Sequence, residues 1–308
     1  MSEANVSSQW PSGRPNVNRL SADLRLVWLF GPGANPATHQ KMAEVGAQVL
    51  IQDLEDFTPP NLRAQARALA STLYPAWRLA GALVCVRINS LESEGLTDLA
   101  AVMPFRPDII AYPKAAGAEA IQALAQAMTL EERGLGLTVG STEILPVCET
   151  ALGVVTVREM AAASTRIKAA LLGSEDLATD LCAERGQDAV ELDYARRRFL
   201  LECRAAGIEP VDAPFTFADA EAAAHEARFA RRLGYRCKST VTPEHTAALI
   251  ATLSPSPGEI AHARLLVSAF DAGRANSEDR VKLGEHWIEV PTYLNAKRLL
   301  DRAQALGS

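Results

Sequence analysis

The sequence has 308 residues, a length that suits one large α/β barrel or two ordinary domains with a sizeable core. Its 31 Lys and Arg residues against 37 Asp and Glu residues give a net charge of −6, which argues against a nucleic acid or a membrane surface as a partner. The five cysteines form no CxxC pair, so we expect small buried side chains in a reducing cytoplasm.

The amino-terminal residues 1–22 are polar and rich in Ser, Asn, Pro and Gly, and we predict a flexible arm there. This segment lacks the apolar centre that a signal peptide needs. No stretch of the sequence is long and apolar enough to span a bilayer. We therefore expect a cytoplasmic protein with no membrane partner.

Eight apolar runs alternate with helical patterns along the chain. The predicted strands cover residues 26–30, 49–54, 82–89, 108–114, 144–148, 168–173, 209–213 and 236–241. Unbroken apolar runs are typical of parallel strands buried on both faces, and strict alternation with helices predicts a (β/α)8 TIM barrel. The alternative, an open doubly wound sheet, favours a GxGxxG loop, which the GPGANP sequence at residues 31–36 does not match.

The barrel is predicted to occupy residues 23–253, and the pattern changes after it. Residues 254–308 contain two predicted helices, 260–272 and 293–305, with the sequence GEHWIEVP between them. A segment of this length is too short to fold alone. We expect a carboxy-terminal helical extension that docks on the barrel or on a neighbouring subunit.

Polar side chains follow the predicted strands at their carboxyl ends. In chain order these are Asp53, Glu55, Asp56, Arg87, Asn89, Lys114, Glu149, Glu175, Asp176, Asp212 and Lys238. The carboxyl ends of parallel strands meet at one rim, where ligands bind in α/β proteins. Some of these residues could instead be ion pairs that close the barrel, but burying so many charges without a ligand is costly.

Glu149 and Asp176 end two successive strands, and we interpret them as two ligands of one hard cation, which prefers oxygen donors. The alternative roles are a salt-bridge partner for Glu149 and a helix cap for Asp176. Arg87 ends an apolar run, and its planar fork suits a carboxylate or an enolate oxygen. The five histidines are scattered, so we predict no zinc site.

Two lysines at the rim have more than one possible role. Lys114 and Lys238 could form Schiff bases, as lysines do in some barrel enzymes, or they could be charge partners of the acidic rim. The second role is favoured. A Ser-His-Asp arrangement has no support, because no GxSxG motif is present.

Several blocks of the sequence together resemble one known family over about residues 25–300. The blocks include LFGPGANP, VLIQDLEDFTPPNLRAQAR, VRIN, YPKAAGAE, PVCETALGVVTVREMA, LLGSEDLATDL and LGYRCK. They resemble the HpcH/HpaI aldolase/citrate lyase superfamily, and specifically its citrate lyase β-subunit-like branch. The resemblance implies a TIM barrel that assembles as a homotrimer or hexamer, with Mg2+ bound by Glu149 and Asp176.

The resemblance also implies a function, a Mg2+-dependent carbon–carbon lyase of aldolase type. Its expected substrate is a 2-hydroxy acid, as a citryl-, malyl- or citramalyl-CoA-like thioester, cleaved through an enolate that the metal and Arg87 stabilise. The catalytic residues are then Arg87, Glu289 and Asp56. The substrate-binding residues are Arg87, Glu55, Asp53, Lys114 and Lys238.

Three positions depart from the family pattern. Thr242 replaces the histidine of the coenzyme A loop after strand eight, Arg63 replaces a lysine, and Glu289 replaces the aspartate of the carboxy-terminal motif, a catalytic acid–base group that often acts in a neighbour's active site. Glutamate can still move a proton, but its extra methylene shifts the carboxylate. Two alternatives therefore stay open. One is a Mg2+-dependent aldolase or decarboxylase of a free 2-oxo acid, and the other is a catalytically silent metabolite-binding subunit.

Overall fold

Eight parallel strands close into one barrel in the computed structural model, in which residues 20–278 and 280–307 are described. Each strand pairs with its neighbours in chain order, and β1 pairs with β8. The strands are β1 Val27–Pro32, β2 Val49–Asp53, β3 Leu83–Arg87, β4 Ile109–Tyr112, β5 Glu143–Cys148, β6 Ala169–Leu172, β7 Glu209–Asp212 and β8 Cys237–Thr240. The predicted TIM barrel is confirmed. Most of the predicted arm, residues 1–19, lies outside the described residues.

Helices connect the strands and form the outer layer. They are α1 Pro36–Glu44, α2 Arg63–Leu79, α3 Gly95–Val102, α4 Gly117–Gly134, α5 Ala151–Val155, α6 Val157–Ala163, α7 Glu175–Asp180, α8 Asp193–Ala206, α9 Ala220–Leu233 and α10 Thr246–Leu253. The carboxy-terminal extension contains α11 Pro257–Ala275, the antiparallel hairpin β9 Val281–Leu283 and β10 His286–Ile288, and α12 Val290–Ala305.

Alternation along the strands builds two apolar layers. Ile51 and Cys85 lie in the cluster inside the barrel, whereas Leu50 and Val84 lie in the larger cluster that faces the helices. At the end where the strands begin, the buried guanidinium of Arg25 pairs with Glu143 at 2.6 Å. We call the opposite end, where the strands finish, the mouth of the barrel.

The sequence analysis missed the short elements. It did not predict α3, α7 or the β9–β10 hairpin. The segment after β5 forms two short helices, α5 and α6. These two helices meet at Thr156, whose hydroxyl donates to the carbonyl of Leu152 and accepts from the backbone N–H of Gly117. A side chain that bonds to its own backbone in this way competes with regular helix.

The carboxy-terminal extension docks on the end of the barrel where the strands begin. Arg302 of α12 donates to the backbone oxygens of Asp23 and Arg236, which precede β1 and β8. Arg231 of α9 pairs with Glu259 at the start of α11. The hairpin end has a small core of its own, in which Phe270 stacks on Tyr293.

The helices of the described residues include none with the length and apolar composition of a membrane span.

Lys238, predicted to bind substrate, lies away from the mouth, and this prediction is wrong. Cys237 points into the barrel, so the next residue points outward towards α8 and α9. The ammonium of Lys238 is fully buried, 2.7 Å from Asp212 and 3.0 Å from Glu226. Asp212, another predicted rim residue, also pairs with Arg196 at 2.7 Å. Both are therefore parts of a buried ion-pair network.

We expect Lys238→Met to destabilise the fold by about 3–5 kcal/mol, because it leaves Asp212 and Glu226 buried with one cation instead of two. Urea unfolding followed by circular dichroism measures this change. The exposed Lys168→Met is the matched control and should leave the free energy of unfolding within about 0.5 kcal/mol. A stable Lys238→Met variant with weakened substrate binding would contradict the structural role.

Candidate active site at the barrel mouth

Arg87 is the centre of the mouth. Its Nε donates to Oδ1 of Asp53 at 2.9 Å, and its Nη2 donates to Oδ2 at 2.5 Å. Its third nitrogen, Nη1, lies 3.1 Å from Glu55 and 3.9 Å from Glu149. These carboxylates raise the pKa of the guanidinium against the opposing effect of burial, so Arg87 is a permanent cation.

Asp53 fixes the orientation of the Arg87 guanidinium. Its carboxylate is fully buried and also accepts the backbone N–H groups of Glu55 and Phe57, at 2.9 and 3.0 Å. Both oxygens are therefore occupied by the chain itself. Asp53 was predicted to bind substrate, but its geometry makes it a positioning residue for Arg87.

Two aromatic rings that the sequence analysis missed enclose the guanidinium. Its central carbon lies 5.3 Å from the ring centroid of Phe30 and 5.5 Å from that of Phe57, a cation–π arrangement. Phe30 belongs to the apolar run of β1, and Phe57 follows the acidic residues after β2. Neither position has a sequence signal that separates it from ordinary core packing.

Glu149 directly follows β5 and is buried, with 3% of its surface exposed. Its Oε1 accepts the backbone N–H of Lys114 at 2.8 Å, and Lys114 adopts a left-handed backbone with φ of 46°. Burial raises the pKa of Glu149 to about 7, although Arg87 opposes the shift. The space beside it requires glycine at residue 173, because a Cβ there would lie 2.6 Å from the Cβ of Glu149.

The ammonium of Lys114 lies among three other carboxylates of the mouth. It lies 3.0 Å from Glu55 and 3.8 Å from both Asp56 and Asp176. Burial raises the pKa of Glu55, and its Oε2 accepts no hydrogen bond from the residues that the structure describes, although Arg87 is close. Asp176 belongs to the first turn of α7 and is partly exposed.

The residues at the mouth fit a magnesium ion. Glu149 and Asp176 supply oxygen donors on adjacent strand ends, and the Lys114 ammonium already neutralises part of the carboxylate cluster. The described ranges contain no group of three His, Cys, Asp or Glu residues that could hold a metal by themselves. Mg2+ commonly takes one or two carboxylates and completes its shell with water and substrate oxygens, so two carboxylates suffice.

Three other candidates lie apart from this cluster. Asn89 donates to the carbonyl of Leu54 and to Asp98 of α3, which makes it a structural residue. Glu175 accepts from Arg185 and Thr216 beside the mouth. Glu289 is exposed at the start of α12, and within residues 20–278 and 280–307 no hydrogen bond or ion pair joins it to Arg87 or Glu149.

We expect Glu149→Gln to stabilise the protein at alkaline pH in the absence of divalent cations. The folded pKa of about 7 lies above the ordinary value of 4.5, so ionisation costs the folded state more than the unfolded chain. This cost develops as the pH rises from about 4.5 to 7 and then stays constant, so the variant should gain about 3 kcal/mol at pH 8 and nothing at pH 4.

Urea unfolding of both proteins across this pH range, with a chelator present, measures the difference. Glu184→Gln, which changes an exposed carboxylate, is the control and should show no pH-dependent gain. An equal difference at pH 4 and pH 8 would contradict the buried, perturbed carboxylate.

Comparisons with known proteins identify the family of the chain. A family model described as HpcH/HpaI aldolase/citrate lyase matches residues 26–243. Citrate lyase subunit beta from Escherichia coli (strain K12) is 32% identical over 95% of this chain and 97% of its own length. L-malyl-CoA/beta-methylmalyl-CoA lyase from Cereibacter sphaeroides is 30% identical over 97% of this chain and 98% of its own length.

A solved structure of a similar protein also matches this chain. Protein CitE from Mycobacterium tuberculosis, in complex with magnesium, acetoacetate and coenzyme A, is 27% identical with a TM-score of 0.73, over 91% of this chain and 98% of that chain. The predicted resemblance is thereby confirmed. The chain belongs to the HpcH/HpaI aldolase/citrate lyase family, and the relatives compared with it are carbon–carbon lyases.

Proposed function

We propose that this chain is a magnesium-dependent carbon–carbon lyase that acts on the coenzyme A thioester of a 2-hydroxy acid. The observation that carries the proposal is the cluster at one barrel mouth in which Arg87 contacts Glu55 and Glu149, and Lys114 contacts Asp176. The names of the relatives support the thioester, and the magnesium in CitE supports the metal.

Arg87 is placed to stabilise the negative charge that develops when the carbon–carbon bond breaks. Two of its nitrogens are occupied by Asp53, whereas Nη1 makes ion-pair contacts but no hydrogen bond with the described residues. The two N–H groups of Nη1 can therefore donate hydrogen bonds to a substrate carboxylate or enolate oxygen. Because Asp53 and the two rings already fix the guanidinium, little reorganisation is needed at the moment of reaction.

Glu149 and Asp176 are the residues that would hold Mg2+. When bound, the ion supplies Lewis-acid stabilisation of substrate oxygens. A cation at this position also lowers the pKa of Glu149, since it favours the ionised carboxylate that burial disfavours. Glu55 and Lys114 stay in the proposal as substrate-binding residues, because both face the same mouth.

Proton transfer is assigned to Glu289, with Asp56 as a second candidate at the edge of the mouth. The side chain of Asp56 is half-exposed, 3.8 Å from Lys114. Glu289 is exposed, and in the described part of the chain no bond joins it to the mouth, which fits a residue that acts in a neighbouring subunit. We propose a homotrimer or hexamer, supported by the exposed apolar side chains Leu152, Val155, Tyr194 and Leu201 on α5 and α8.

Titration calorimetry tests the proposed function. With Mg2+ present, the protein should bind a 2-oxo acid, such as oxaloacetate or pyruvate, and also acetyl-CoA, and it should then cleave malyl-CoA or citramalyl-CoA. Glu149→Gln should abolish both Mg2+ binding and metal-dependent acid binding. Binding of the acid alone would favour a free 2-oxo acid enzyme, with Thr242 as the altered residue of the thioester loop. Binding of neither would contradict the lyase and favour a silent subunit.

We expect Glu289→Gln to lower kcat by about 10²–10⁴-fold, because general acid–base groups contribute on this scale. Mg2+ affinity should not change, since Glu289 is separate from Glu149 and Asp176. The matched control is Glu285→Gln, an exposed glutamate in the turn between β9 and β10, which should keep full activity.

Mixed oligomers then show which chain supplies the proton. Co-expression of Glu289→Gln with Glu149→Gln subunits should restore part of the activity if the two residues meet across an interface. Activity that stays at the level of the separate variants would contradict action in a neighbouring subunit.

A further inference from the structure

Lys114 makes two separate sets of contacts at the mouth. Its backbone N–H donates to Glu149 at 2.8 Å, and its left-handed φ of 46° directs the chain to that position. Its side chain reaches elsewhere, 3.0 Å from Glu55 and 3.8 Å from Asp56 and Asp176. The ammonium can therefore move without releasing the carboxylate that the backbone holds.

The charges at the mouth explain why the ammonium lies there. Arg87 is neutralised by Asp53, which leaves Glu55, Asp56, Glu149 and Asp176 as neighbouring carboxylates. Like charges at this separation repel one another, most strongly where they are buried. The Lys114 ammonium contacts three of these four carboxylates, those of Glu55, Asp56 and Asp176. Asp176 is one of the two proposed magnesium ligands.

We propose that Lys114 is a place-holding cation, which neutralises the carboxylate cluster before magnesium binds and leaves Asp176 when the ion arrives. The inference rests on the proposed function, since it assigns a role at the same metal site. The side chain of Lys114 is 48% exposed and has a flexible four-carbon stem, so the displaced ammonium can move into solvent. Once released, the ammonium is available to an anionic substrate, which sets an order of binding with the metal first.

The first test compares the Mg2+ affinity of Lys114→Met with that of the original protein by titration calorimetry. If the Lys114 ammonium occupies the metal site in most molecules, only the remaining fraction can bind Mg2+, and the apparent affinity falls in proportion to that fraction. Removing the ammonium should therefore tighten Mg2+ binding by roughly tenfold. Arg185→Gln is the matched control. It removes a cation that pairs with Glu175 and Glu191 beside the site but contacts no proposed ligand, so Mg2+ affinity should change much less.

The second test uses the original protein and does not depend on a folded variant. Lysines are acetylated briefly with and without Mg2+, and the modified residues are quantified by mass spectrometry. The reactivity of Lys114 should rise several-fold with Mg2+. Lys168, exposed just before β6 at the other end of the barrel, is the internal reference and should not change.

The outcomes separate the two proposals. If the original protein binds Mg2+ but Lys114→Met binds no more tightly than Arg185→Gln does, or if Lys114 reactivity does not rise, the place-holding role is wrong and the metal site stands. If the original protein binds no Mg2+ at all, the proposed function fails, and the place-holding role fails with it.

Discussion

The bidentate ion pair between Arg87 and Asp53 is the interaction on which the barrel mouth depends. Asp53 is fully buried and accepts four hydrogen bonds, two from the guanidinium and two from backbone N–H groups. The pair fixes the direction of Arg87, and the rings of Phe30 and Phe57 restrict it further. An isolated arginine could not be held at this depth without such partners.

A fixed, buried cation determines what its neighbours can be. Glu55 and Glu149 lie within ion-pair distance of Arg87, yet burial still raises the pKa of both carboxylates, because Arg87 is already neutralised by Asp53. The mouth therefore has more negative charge than the chain itself balances. That excess of negative charge favours the binding of a divalent cation. It also attracts the Lys114 ammonium to the carboxylates when no metal is bound.

The sequence was sufficient to predict the barrel and the placement of three charged side chains at one of its rims. Long apolar runs carry the strand signal, so β5 was predicted to within one residue, and the strand ends brought Arg87, Glu149 and Asp176 to one rim. Short elements such as α3 and α7 were missed, because a turn or two of helix has too few residues for a periodic pattern. The φ of Lys114 and the contact of Gly173 with Glu149 are three-dimensional facts with no local signature.

Lys238 and Arg87 show why a charged strand end alone does not predict a ligand-binding residue. Arg87 is the last residue of β3, whereas Lys238 is the second residue of β8. Because side chains alternate along a strand, a difference of one residue decides which layer each enters. Cys85 points inward, so Arg87 does too, whereas Cys237 points inward and sends Lys238 into the helical layer. The same reasoning separates Asp53 from Asp212, since both end their strands and only Asp53 faces the barrel axis. Parity relative to an inward-facing neighbour therefore separates Arg87 and Asp53 from Lys238 and Asp212.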